Sequence, residues 1–115
     1  MGGRDDAGNE SSTERERSAE ERTGGVPAEG ARVTIEIVEI QGSGACSIGH
    51  RVGDTWEADS ALVPTGICGW AYAAMLPFLQ PLRFGGSFPW EEAGEALVCC
   101  PDPANPVVFR LHVAE

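Results

Sequence analysis

Cys46-Ser47-Ile48-Gly49-His50 places a thiol and an imidazole four residues apart, with a glycine between them that can turn both side chains toward one cation. Cys68 and the adjacent pair Cys99 and Cys100 complete a sulfur-rich set. Tetrahedral zinc is the natural occupant of such a set, and iron or copper(I) also accept thiolate and imidazole ligands. Four ligands would make the site structural, whereas three and an open position would permit catalysis. The spacing is not that of a C-x-x-C knuckle, so the ligand set depends on convergence in three dimensions.

Two other roles compete for the same residues. Cys68 opens a predicted helix, where the positive end of the helix dipole favours thiolate, so Cys68 is the candidate nucleophile of a thiol enzyme and His50 its candidate base. Alternatively the cysteines are small apolar residues of the core, and the chain is an interaction module that docks a partner protein through its tail or its Gly85-to-Trp90 loop. In a regular strand Cys99 and Cys100 point to opposite faces, so one of the two joins any site. Asp102, between Pro101 and Pro103, reads as a turn acceptor, and Arg83, Glu91 and Glu92 read as solvated charges. Trp56, Trp70 and Trp90 read as core residues.

Composition removes several classes. All eight basic residues are arginine, so no lysine is present for a Schiff base or a nucleotide-phosphate loop. The net charge of −10 divides into −4 over residues 1–30 and −6 over the rest, and neither part offers nucleic acid or an anionic membrane a basic surface. Gly42-Ser43-Gly44 lacks the third glycine of a dinucleotide fingerprint, and no serine occupies a G-x-S-x-G elbow. Residues 60–82 carry no charge, but Pro64, Gly66, Gly69, Pro77 and Pro81 interrupt them, which favours a buried helix over a membrane span. Residues 1–12 lack the apolar core of a secretory signal, and a cytoplasmic location is expected.

The elements that must position these side chains follow from pattern. Residues 1–30, rich in Gly, Ser, Glu and Arg, read as a disordered acidic tail, and residues 31–115 as one compact domain. Val33 to Ile40 is β-branched and partly alternating, Thr55 to Ala58 is a short strand after the Gly53-Asp54 turn, and Ala96 to Cys100 is a short apolar run. Val107 to Val113 alternates with period two. From about Gly66 to Leu79 the composition is helical, with Thr65 as cap and Pro77 as the kink or stop. The expected fold is α+β, a small and mostly antiparallel sheet of about four strands on one buried helix.

The ordered motifs Cys46-x-x-Gly49-His50-x-x-Gly53-Asp54, Gly66-x-Cys68-x-Trp70-Ala71, Leu82-x-Phe84-Gly85-Gly86, Pro89-Trp90 and Cys99-Cys100-Pro101-Asp102-Pro103 resemble a family of small cysteine-containing bacterial and archaeal proteins described as conserved hypothetical. The resemblance covers residues 33 to 113. It implies that the domain is the family's full unit, that the N-terminal 30 residues are an addition, and no activity. Ser47 and Arg51 depart from the family's Pro and Lys.

Overall fold

The computed structural model describes residues 26–114, and residues 1–25, most of the expected tail, lie outside them. The sheet comprises β1 (Val33–Ile40), β2 (Thr55–Ala58), β3 (Glu95–Cys99) and β4 (Val107–Val113). Among the described residues one helix, α1 (Gly69–Arg83), lies between β2 and β3 in sequence. The strands are antiparallel throughout, in the order β2-β1-β4-β3. The α+β expectation therefore holds.

Alternation writes the core. Val33, Ile35 and Ile37 of β1, Ala96 and Val98 of β3, and Val107, Phe109 and Leu111 of β4 point to the helix side and are buried. Their odd-and-even neighbours face outward, where Arg110 of β4 lies between Glu36 of β1 (3.7 Å) and Glu95 of β3 (3.1 Å). Alternation in β1 breaks because Val38 forms a bulge: Ile37 faces Phe109, and Glu39, not Val38, faces Val108. The extra residue resets the phase, so Glu39 stays outside and Ile40 packs on the core.

Helix α1 buries Ala71, Tyr72, Met75, Leu79, Leu82 and Arg83, one stripe at helical spacing. It begins three residues later than expected, with Cys68 rather than Thr65 at the N-cap, and it runs past both Pro77 and Pro81. Both prolines are exposed and one turn apart, so the hydrogen bonds they delete lie on the solvent side, where water can serve the freed carbonyls. Burial of Leu79 and Leu82 beyond Pro77 keeps the last turns in place.

What stops the helix is Gly85-Gly86. The Gly86 N–H donates to Pro81 O (2.8 Å) and the Gly85 N–H to Leu82 O (3.3 Å), with Gly85 at φ +89. These are the two bonds of a Schellman cap, whose left-handed residue favours glycine.

Arg83 corrects the solvated-charge expectation. It is 3% exposed, and its guanidinium donates to the carbonyls of Glu29, Ala31 (3.2 Å) and Ser60 (3.3 Å) and to Gln80 Oε1 (3.4 Å). The Ala31 N–H returns a bond to Arg83 O (2.6 Å). Glu29 and Gly30 are thereby held to the helix end.

Candidate functional site

The connection from β1 to β2 carries the Cys46-to-His50 motif to the start of α1. A turn closes it, with the Gly49 N–H donating to Cys46 O (3.0 Å) and Gly49 at φ +90. Nε2 of His50 accepts the backbone N–H of Cys68 at 3.2 Å. The imidazole also lies 4.8 Å from the Trp56 ring, tilted by 60°, and Trp56 continues to Phe109 at 6.4 Å. A nitrogen that accepts from an amide has no proton of its own, so the neutral ring carries its hydrogen on Nδ1. His50 and Cys68 thus meet through the backbone of Cys68 rather than its thiol.

All four cysteines are free. Cys46, Cys68 and Cys100 are half-buried and pack against the core. Cys99 is exposed on the outward sheet face, so the adjacent pair does diverge. Sγ of Cys100 accepts the Val107 N–H (3.3 Å), and the Cys99 thiol donates to Cys100 O (3.4 Å). Desolvation first, and then the neighbouring Cys100, push the Cys99 thiol above its ordinary range.

Among the described residues, no three His, Cys, Asp or Glu side chains gather into a group able to hold a metal ion. Cys46, His50, Cys68, Cys99 and Cys100, expected to hold zinc, iron or copper, are not brought into one such group. In this arrangement Nε2 of His50 accepts the Cys68 amide, Sγ of Cys100 accepts the Val107 amide, and Cys99 is exposed on the outward sheet face. For the enzyme alternative, the candidate base His50 here accepts the backbone amide of Cys68. Asp102 takes the turn role, its Oδ1 accepting from the N–H groups of Ala104 (2.9 Å) and Asn105 (3.3 Å).

No protein-family model matches the chain, and neither a curated protein nor a solved structure is similar to it. No helix among the described residues is long and apolar enough to cross a membrane.

The feature that sequence patterning did not isolate is the outer face of α1. The charge-free stretch supplies more apolar side chains than one buried stripe can absorb. Trp70, placed in the core by its size alone, is 75% exposed. It borders an open apolar notch formed with Ala73, Ala74 and Pro101, the last from the β3–β4 connection. Pro77 and Pro81 extend the same helix surface, and α1 has no charged residue before Arg83. A second exposed aromatic, Trp90 at 68%, caps a ladder in which Phe88 lies 5.6 Å from Phe78 and 5.4 Å from Trp90. The signal available in the sequence was the length of the uncharged run, because a helix bordering water ordinarily carries charge on its outer side.

Proposed function

We propose that this protein is an interaction module that docks a protein partner on the outer face of α1, with its cysteines serving the core. The observation that carries the reading is Trp70, a large aromatic three-quarters exposed on a helix surface without charge, beside a notch of small apolar residues. Exposed aromatics next to small-residue recesses are the anchors around which protein interfaces concentrate their energy.

Three further facts support it. The half-buried Cys46, Cys68 and Cys100 pack against the core, as structural residues do. At the outer edge of the sheet, Glu91 Oε2 occupies the Leu97 N–H of β3 at 3.0 Å, one of the groups that an added strand would need. The other edge strand, β2, offers only four residues.

A photo-crosslinking residue introduced at Ala73 of the full chain tests the proposal in the cells that make it. The expected result is an adduct of one discrete mass that disappears when Trp70→Ala is added. An adduct yield at Ala73 no higher than at Glu57, on the edge strand β2, would remove the proposal.

A further inference from the structure

We infer that Glu91 guards an open edge of the sheet: by holding the Leu97 amide, its carboxylate keeps β3 from pairing with an extended strand of another chain. This role is independent of the α1 surface.

Position makes β3 the strand at risk. It ends the β2-β1-β4-β3 order and, among the described residues, pairs with β4 alone. The Cys100 N–H donates to Val107 O (2.9 Å) and the Val113 N–H to Gly94 O (2.9 Å), which sets the parity of that ladder. Even-numbered residues of β3 therefore bond to β4, and the amides of Glu95, Leu97 and Cys99 face the free edge. From Ala96 to Pro101 the chain carries no charge, and Leu97 is 54% exposed on the same face as exposed Cys99. An apolar edge with unpaired amides is a template for another strand. The opposite edge, β2, has a different protection, being four residues long with Glu57 exposed upon it.

The turn before β3 closes this edge with its own groups. The Glu95 N–H donates to Glu92 O (3.1 Å) and the Leu97 N–H to Glu91 Oε2 (3.0 Å), so two of the three edge amides are taken. Glu91, expected among the solvated charges, is positioned for this by the aromatic ladder. Its own N–H donates to Phe88 O (3.0 Å), and Phe88 lies between Phe78 of α1 and Trp90. The ladder thus ties the turn to the helix and sets the carboxylate on the edge. A carboxylate is also a stronger acceptor than the carbonyl of an incoming strand, which must displace it to pair.

Two readouts on the full chain test the guard, in about 0.5 M NaCl so that repulsion between copies of net charge −10 is screened. By NMR, exchange of the Leu97 amide in Glu91→Ala should quicken by on the order of 10-fold or more, while that of Val98, whose amide faces β4, changes less. By thioflavin T fluorescence and sedimentation velocity, Glu91→Ala should assemble into strand-paired oligomers that the wild type does not form. Glu91→Gln keeps an acceptor oxygen and should behave as wild type. Adding Leu97→Lys to Glu91→Ala should suppress assembly without restoring the bond, which separates an open edge from a weakened fold. Four results each overturn the guard: an unchanged Leu97 exchange rate, no more assembly in Glu91→Ala than in wild type, equal assembly of Glu91→Gln and Glu91→Ala, or assembly that Leu97→Lys leaves intact.

Discussion

His50 and Cys68, eighteen residues apart, are joined by a single bond in which Nε2 of the imidazole accepts the backbone N–H of Cys68 at 3.2 Å. The first N–H groups of a helix have no partner within it, and a capping box satisfies the N-cap amide with a glutamate from the first turn. Here α1 has no acidic residue in its first turn and no side-chain cap at Cys68. An imidazole from the preceding loop fills that place, and its contact with Trp56 fixes the ring. The residue that most suggested a metal ligand or a catalytic base is thus a long-range helix cap.

His50→Ala leaves a half-buried amide without an acceptor and opens a gap beside Trp56. The expected loss is about 1–3 kcal/mol, measured by urea denaturation. His50→Gln keeps a side-chain oxygen able to accept and should lose less. Equal losses for the two variants would assign the effect to the ring contact with Trp56 and not to the cap.

Arg83 makes a comparable prediction at the other end of α1. Its fork reaches the carbonyls of Glu29, Ala31 and Ser60, so Arg83→Met strands several acceptors around an apolar chain. A destabilisation of about 2–4 kcal/mol is expected. Lysine cannot reproduce the planar fork, and Arg83→Lys should recover less than half of that loss. Limited proteolysis should show earlier cleavage near Glu29 in both variants. Unchanged cleavage would mean that the segment is anchored by other contacts.

Legibility followed the range of the interaction. Strands β1, β2 and β4 were readable because β-branched alternation and the Gly53-Asp54 turn are local signals, and the three-proline connection marked the hairpin between β3 and β4. The register of β1 was less so, since the Val38 bulge answers to the partner strand β4. Proline at 77 gave a misleading helix end, because its cost depends on which side of the helix it faces, and only packing decides that. Gly85-Gly86 contained the true stop signal but has meaning only once the helix before it is placed. The site was less legible for a related reason: residue type marks His50 and the cysteines as donors, while only the fold shows that Nε2 of His50 meets the Cys68 amide and Sγ of Cys100 the Val107 amide.

Gly42 and Gly44 separate close approach from backbone strain. Both have positive φ, at +69 and +82, but a Cβ on Gly42 would collide with the Ala104 carbonyl and with Asn105 Oδ1, whereas one on Gly44 meets nothing within 4 Å. That collision falls on the clasp in which Asn105 Oδ1 accepts from the backbone N–H (2.8 Å) and hydroxyl (2.9 Å) of Ser43. Gly44→Ala should cost about 1–2 kcal/mol from backbone strain alone. Gly42→Ala should exceed it by at least about 1 kcal/mol in the same denaturation assay. Indistinguishable losses would show that the two loops do not press together at this point.

Chelation tests the assignment of the cysteines to the core. If Cys46, Cys68 and Cys100 are packing residues, prolonged treatment with a strong chelator leaves the melting temperature unchanged, and protein purified without chelator carries no stoichiometric metal. Cys68→Ser should then lower stability by only about 1 kcal/mol, the scale of exchanging a half-buried thiol for a hydroxyl. A fall of more than about 10 °C on chelation would instead show that metal binding supplies folding energy, and would restore zinc to the site.

Cys99 differs from the other three in exposure, and its thiol is held above the usual thiol range by desolvation and by Cys100. Alkylation of the native protein, followed by peptide mass spectrometry, should therefore label Cys99 first. It should label slowly at neutral pH, since the thiolate is the reacting species, and faster as pH rises. The raised value also has a stability consequence with a definite sign. The folded state holds this proton more tightly than the unfolded one, so the associated stability is complete below the ordinary thiol pKa and is lost as pH rises through the folded value. Cys99→Ser should remove that part of the alkaline decline while leaving neutral stability nearly unchanged. Faster labelling of Cys68 than of Cys99 at neutral pH would contradict the placement and return Cys68 to the role of reactive thiol.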